Sequence, residues 1–126
     1  IPNVVVINGL LSDEELETQI HRQGHCYVNC SHSEGVGMGA VEAALRGKPV
    51  IITDFGGLKE YVPDTPFVVK CSRTEIQQDD FLFQKGMVWG PPSLEDLMSH
   101  MRTCYESRIT EWDHPGTKTL LSSVFV

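Results

Sequence analysis

Positive charge is scarce in this chain. Its 126 residues include 10 Lys and Arg against 17 Asp and Glu, which gives a net charge of −7. A surface that binds nucleic acid or an acidic membrane needs clustered Lys and Arg to neutralise phosphates. The composition therefore argues against a nucleic-acid partner, and we interpret the acidity as a contribution to solubility.

Long apolar runs are also missing, as is the pattern of a secretory signal. The four cysteines, at positions 26, 30, 71 and 104, lie mostly in apolar strand-like or helical patterns. Buried free cysteine behaves as a small hydrophobe, so we interpret all four as reduced core or near-core residues in a reducing compartment. We expect a cytoplasmic protein without a transmembrane segment, and peripheral attachment of its parent protein to the cytoplasmic membrane face is the alternative.

The chain has the length of one ordinary domain with a real core. It begins Ile1-Pro2 and finishes at residues 122–126 without an obvious closing element, so we expect it to be a piece of a longer protein. We divide the single partial domain of residues 1–126 into a core over 1–71, an irregular segment over 72–92, and a C-terminal helix and tail over 93–126.

Strands are predicted to alternate with helices along the core. Apolar β-branched runs predict strands over residues 4–7, 25–30, 49–53 and 67–70. Ser12 and Glu15 form a capping box that predicts a helix ending at Gly24, and further helices are predicted over 38–46, through Tyr61 and over 94–105. The order predicts an α/β fold, a Rossmann-like parallel sheet of about four strands flanked by helices. The apolar stripe of the last helix, Leu94, Leu97, Met98, Met101 and Tyr105, is predicted to be core.

A glycine-rich turn with two acids follows the second predicted strand, where ligands bind in such sheets. Gly35, Gly37 and Gly39 let backbone N–H groups approach an anion, and the next helix adds the positive end of its dipole. Glu34 can point into the cleft from this turn. Glu42 lies among alanines on a helix that we expect to be covered, so it needs partners. Three kinds of partner remain possible for the Glu42 carboxylate: the hydroxyls of a ribose, a capped backbone group or a nearby lysine.

Residues 27–62 resemble the donor-binding pattern of retaining GT-B glycosyltransferases of the glycosyl transferases group 1 family. The matching pieces occur in order over about 35 residues: Ser33-Glu34-Gly35-x-Gly37, Glu42-Ala43-Ala44, Gly47-Lys48-Pro49-Val50-Ile51 and Gly56-Gly57-x-x-Glu60. The glycines do not fit the dinucleotide pattern of an oxidoreductase, which follows the first strand directly. The resemblance implies the C-terminal, donor-binding half of a GT-B fold.

The resemblance also implies a role for each matching position. Glu34 would be the catalytic-site acid that contacts the transferred sugar, and Glu42 would accept hydrogen bonds from the nucleotide ribose. Backbone amides would hold the diphosphate or the sugar, and a preceding loop would border the base. The implied substrate is a nucleotide sugar, with no metal and no cofactor, and the acceptor is unknown. The remaining donor-binding positions are Gly35, Val36, Gly37, Met38, Gly39, Gly9 and Leu10, and the secondary positions are Ser33, Asp54, Gly56, Gly57 and Glu60.

Two expectations follow from what the chain lacks relative to this family. The Arg and Lys that neutralise the donor diphosphate lie in earlier strand–helix units, and Arg46 and Lys48 cannot replace them from the far end of their helix. We therefore predict that the chain alone is inactive and binds donor weakly. The first strand would also lack its neighbours, so we expect a rearranged sheet edge or a homodimer formed through exposed edges.

Other functions compete with this interpretation. His21, His25, Cys26, Cys30 and His32 are potential zinc ligands, although their spacing matches no closed site. A non-catalytic nucleotide-sugar-binding or interaction module would bind donor without turnover. An epimerase or phosphorylase of the GT-B group would share the same donor-half architecture.

Overall fold

The computed structural model of the chain describes residues 2–124, and side chains as far as residue 123. A helical turn, α1 (Asp13–Glu15), continues directly as a π-helical segment (Leu16–His21). The elements that follow are β1 (Tyr27–Asn29), α2 (Met38–Leu45), β2 (Val50–Thr53), α3 (Gly57–Tyr61), β3 (Val68–Val69), β4 (Thr74–Glu75), β5 (Val88–Trp89), α4 (Leu94–Glu106) and α5 (Pro115–Val124). β1, β2 and β3 form a parallel sheet in that order, which confirms the predicted Rossmann-like α/β class.

The strand predicted over residues 4–7 is not formed, so the parallel sheet has three strands instead of about four. These residues are coil, and Val5 and Val6 are 85% and 83% exposed. β-branched residues favour a strand only where a neighbour offers backbone hydrogen bonds and an apolar face. No strand in the described part of the chain offers either to this run.

The core lies on both faces of the parallel sheet. Val50 and Ile52 point to one face and Ile51 to the other, as the twofold period of a strand requires. The helices α2 and α3 cover the first face and α5 packs on both of them, while α4 packs on β2 and β3 on the second face. Ala40, Ala43 and Ala44 are fully buried and let α2 approach the sheet closely. Burying each of these isoleucines contributes roughly 1.5–3 kcal/mol.

The apolar stripe of α4 is less buried than predicted. Leu97 and Cys104 pack against the sheet, but Leu94 and Tyr105 are mostly exposed, and Met98 and Met101 are about half exposed. The helix itself forms as predicted, with Ser93 as its N-cap. The stripe is wider than the part of the sheet that α4 covers, so periodicity alone overestimated the burial.

The segment predicted to be irregular, residues 72–92, contains a small antiparallel hairpin. Thr74 pairs with Trp89 and Glu75 pairs with Val88. Ile76 is buried and anchors the hairpin, whereas Phe81 is exposed.

The C-terminal tail packs back on the domain and includes the helix α5. Trp112 Nε1 donates to the Asp64 carbonyl at 3.1 Å, and the Gly116 N–H donates to the Asp64 carboxylate at 2.6 Å. The Thr117 hydroxyl donates to the Tyr61 carbonyl at 2.8 Å. These bonds fix α5 against the loops around α3. Within residues 2–124, no helix combines the length and the apolar character that crossing a membrane requires.

Candidate functional site

The loops that follow β1 and β2 touch at the carboxyl end of the parallel sheet. The Gly57 N–H donates to the Glu34 carbonyl at 2.9 Å. A Cβ on Gly57 would lie 1.5 Å from the Gly35 carbonyl oxygen, so only glycine allows this approach. Gly56 has a left-handed φ of +72° beside the same Glu34 carbonyl. Val36 packs against the core and anchors the loop from inside. The predicted glycine pair therefore positions the loop that carries Glu34.

The Glu34 carboxylate is half-buried and is held by the end of β1. The Ser31 hydroxyl lies 3.4 Å from Glu34 Oε1 and also donates to Asn29 Oδ1 at 2.7 Å. A Cβ on Gly37 would lie 3.2 Å from Glu34 Oε2, so the glycine leaves room for the carboxylate. Ser33, the serine singled out in the sequence, has no side-chain hydrogen bond within the described residues. Ser31 is the serine that contacts the acid.

The N-terminus of α2 is open to an anion. Gly37 precedes the helix with a left-handed φ of +73°, and no side chain caps the helix start. The Gly37 carbonyl accepts the N–H of Val41, which leaves the N–H groups of Met38, Gly39 and Ala40 without partners in the described chain. No acidic residue lies in the first turn. About half a positive charge from the helix dipole is therefore available at this point.

Tyr27, on β1, lies close enough to both acids for their charges to act on its phenol. A Cβ on Gly39 would be 2.0 Å from the Tyr27 hydroxyl oxygen, so the phenol rests against the first turn of α2 only because residue 39 is glycine. Burial raises the pKa of Tyr27, and the negative charges of Glu34 and Glu42 raise it further. The phenol is thus a neutral hydrogen-bond donor beside two carboxylates. Sequence reasoning missed this role, although an aromatic strand residue opposite a helix glycine was its signal.

Glu42 has a histidine as its partner. Its Oε2 lies 3.1 Å from Nε2 of His21, which is 5% exposed. The Glu42 side chain is 35% exposed on a helix whose alanines are buried as expected, so the acid is partly covered and has the partner that a covered acid needs. From the sequence, a ribose, a backbone cap and a lysine were open as partners. His21 was predicted only as a potential zinc ligand, because the two residues lie 21 positions apart.

The remaining predicted positions surround the site or lie on the surface. Asp54 forms a 2.7 Å ion pair with Lys59, and Glu60 is exposed on α3. Gly9 and Leu10 lie in the exposed coil before α1, and the Leu10 side chain is fully exposed.

The cysteines are free, with Cys104 buried and the other three half-buried, which confirms their interpretation as core or near-core thiols. Burial raises the pKa of Cys26 to about 12, and Cys104 adds to the effect. Of the proposed zinc ligands, His32 packs edge-on against Trp89 at 4.9 Å between ring centroids. Within residues 2–124, no three His, Cys, Asp or Glu side chains converge closely enough to hold a metal ion.

Two cations on the helices beside the site, Arg46 and Lys59, are engaged by acids. Arg46 lies at the opposite end of α2 from the open N–H groups, where its side chain binds Glu17. This hydrogen bond is the main cause that lowers the pKa of Glu17. The site therefore combines carboxylates, a phenol and backbone N–H groups. Such an arrangement can bind a ligand that carries both hydroxyls and a negative charge.

Comparison with known proteins assigns the chain to a family. Residues 1–79 match the family described as Glycosyl transferases group 1, and this range includes both acids and the glycine-rich turn. The chain is also 28% identical over 105 residues to the sulfoquinovosyl transferase SQD2 of Arabidopsis thaliana. That alignment covers 83% of this chain but only 18% of the relative, so the chain spans less than a fifth of that protein's length. Because the family match covers more than half of its residues, this chain belongs to the Glycosyl transferases group 1 family.

Proposed function

We propose that this chain is the donor-binding half of a glycosyltransferase and that it binds a nucleotide sugar between Glu34 and Glu42. The observation that carries the proposal is that Glu34 Oε2 lies against Gly37 and the Tyr27 phenol against Gly39, at the uncapped N-terminus of the helix that carries Glu42. Carboxylates accept hydrogen bonds from hydroxyls, and helix N–H groups bind anions. A nucleotide sugar offers hydroxyls on its sugar and its ribose, with a diphosphate between them.

The proposed roles follow the order of the groups in the donor. Glu34 contacts the hydroxyls of the transferred sugar, and the backbone amides of residues 35–39 hold the diphosphate or the sugar. Glu42 accepts hydrogen bonds from the ribose. We propose that transfer proceeds with retention at the anomeric carbon and without a metal ion, as in the GT-B enzymes that the sequence pattern resembles.

The chain alone is proposed to bind the donor weakly and not to transfer sugar. A departing diphosphate develops negative charge, which needs preorganised positive charge beside it. Lys59 and Arg46, the cations on the helices next to the site, are bound to Asp54 and Glu17. The dipole of α2 is then the main positive contribution. A dissociation constant of about 1 mM, equivalent to about −4 kcal/mol, is expected.

A titration followed by protein NMR tests this proposal. Isotope-labelled protein is titrated with uridine, guanosine and adenosine diphosphates and, separately, with inorganic phosphate. The expected result is saturable shifts of the amides of residues 34–42 with one of the nucleotides, without hydrolysis or transfer of the matching nucleotide sugar. Unchanged spectra with every nucleotide at millimolar concentrations would contradict donor binding, and turnover at a normal enzyme rate would contradict the proposed inactivity.

Binding without turnover by this chain is also what a non-catalytic nucleotide-sugar-binding module would give. The engaged cations favour that second candidate. Assaying the parent protein that contains this chain separates the two. Sugar transfer by the parent supports the glycosyltransferase, and donor binding without transfer by the parent supports the module.

We also propose that the isolated chain forms a homodimer through the edge of its parallel sheet. Among the described strands β1 pairs only with β2, so its other edge carries free backbone groups. The exposed β-branched residues 4–7 of a second copy are suited to pair there. A groove of about 390 Å³, lined in part by Val28, Met101 and Tyr105, adjoins this edge.

Light scattering on a sizing column tests the dimer. The wild-type chain is expected at twice its monomer mass. Val6→Lys should shift it to a monomer, because a charge cannot be buried in the new strand pair. Leu82→Lys, a change at an exposed apolar residue of the hairpin segment, is the matched control and should leave the dimer intact. A wild-type monomer at every concentration would refute the proposal.

A further inference from the structure

The π-helical segment is bound to the donor-site helix by two side-chain pairs at equal spacing. Glu17 binds Arg46, and His21 binds Glu42, so each helix contributes residues four positions apart. The order of the pairs runs in opposite directions along the two helices, which makes the helices antiparallel. Arg46 Nη1 also donates to the Glu42 carbonyl at 2.9 Å. Glu42 is therefore restrained at its backbone and at its carboxylate.

His21 is held rigidly for this contact. Its side chain is buried, and its ring stacks on Tyr27 with centroids 6.1 Å apart and an interplanar angle of 25°. An ionised carboxylate can only accept hydrogen bonds, so the proton of this bond is on Nε2 of His21. The bond occupies Oε2 of Glu42. Its Oε1 has no hydrogen-bond partner among the residues that the structure describes.

We propose that His21 is the residue that positions Glu42 to accept the ribose hydroxyls of the donor, an inference that rests on the proposed function of this site. A free glutamate loses up to about 2 kcal/mol of rotamer entropy when a ligand fixes it. The bond to His21 holds the Glu42 side chain in one rotamer before the ligand arrives and leaves Oε1 for the ribose. The π-helical turn that carries His21 is a feature often found at functional sites.

Positioning by His21 affects recognition of the ribose and not nucleotide affinity in general. Ribose recognition is measured by the ratio of the dissociation constants for the 2′,3′-dideoxynucleoside diphosphate and the ribonucleoside diphosphate. His21→Phe keeps a ring against Tyr27 and removes the donor, and His21→Gln keeps an N–H donor near the position of Nε2. We expect His21→Phe to lower this ratio about fivefold to tenfold. A change of this size corresponds to roughly 1 kcal/mol, the rotamer entropy that Glu42 must then lose on binding the ribose. His21→Gln should restore most of it.

The experiment measures this ratio by protein NMR for the wild type and the two variants, with His25→Phe, at an exposed position, as the control that keeps the wild-type ratio. Thermal melting of each variant reports any loss of folding separately. In the ligand-free protein, NMR spectra of the ring nitrogens should show His21 protonated on Nε2. The Nε2 signal of His21 should shift in Glu42→Gln, whereas the ring nitrogen signals of His100, the control, should not.

Two results would overturn the inference alone. One is nucleotide binding by His21→Phe with the wild-type ratio, and the other is a neutral His21 ring protonated only on Nδ1. A wild-type protein that binds no nucleoside diphosphate would overturn the proposed function and this inference together. The wild-type titration therefore distinguishes the two failures.

Discussion

Replacing Gly57 by alanine should dismantle the contact that positions Glu34. The new Cβ would lie 1.5 Å from the Gly35 carbonyl oxygen, where an ordinary contact begins at 3.4 Å, so the two loops must separate by about 2 Å. The separation breaks the 2.9 Å bond from Gly57 N–H to the Glu34 carbonyl. A lost, partly buried backbone bond costs about 1–3 kcal/mol and forced overpacking costs a further 1–3 kcal/mol. The lower entropy of the unfolded alanine chain offsets about 0.4–1 kcal/mol.

The net loss for Gly57→Ala is about 3 kcal/mol, which lowers the melting temperature of a domain of this size by roughly 10 °C. Gly35→Ala is the matched control, because its Cβ would meet no atom within 4 Å and its φ is not left-handed. The assay is thermal unfolding by circular dichroism, followed by nucleotide titration below the transition. We expect Gly57→Ala to lose nucleotide binding and Gly35→Ala to melt close to the wild type. Equal melting of the two variants would refute the close approach of the loops.

Three further predictions concern the phenol, the core and the thiols. Tyr27→Phe should weaken nucleotide binding about threefold to tenfold, the effect of one hydrogen bond, with little change in melting, and unchanged binding would remove Tyr27 from the site. Ile52→Ala should lower the free energy of unfolding by about 2–5 kcal/mol in denaturant titrations, whereas Leu82→Ala at an exposed position should change it by less than about 0.5 kcal/mol. The raised pKa of Cys26, about 12 in the fold against 9.0 for the free thiol, stabilises the protein below pH 9 and this contribution is lost as pH rises toward 12. Alkaline unfolding curves should therefore be less steep for Cys26→Ala, and identical curves would contradict the assigned burial.

Features set by neighbouring residues were predicted well from the sequence. Ser12 and Glu15 bond reciprocally in the expected capping box, and α2 begins at Met38 and ends at Leu45, close to the predicted bounds. Caps, glycine stops and helical periodicity depend on residues within a few positions, which a sequence shows directly.

Features set by distant residues were predicted poorly. The run at residues 4–7 has strand composition but lacks a described neighbour to pair with. Tyr105 follows the helical period of α4, yet the sheet beneath does not extend far enough to cover it. Glu42 and His21 form their pair across 21 positions, and the contact of the Tyr27 phenol with Gly39 depends on how α2 packs on β1. The sequence pattern identified the acids, and only the fold supplied the groups that hold them.

The measurement that tests the central claim most directly is a structure of the chain with a nucleoside diphosphate bound. The account predicts the diphosphate at the open N–H groups of Met38 and Gly39, and the ribose hydroxyls on Oε1 of Glu42 with His21 still bonded to Oε2. A nucleotide bound in the groove between β1 and α4, or at the α2 N-terminus with its ribose away from Glu42, would contradict it.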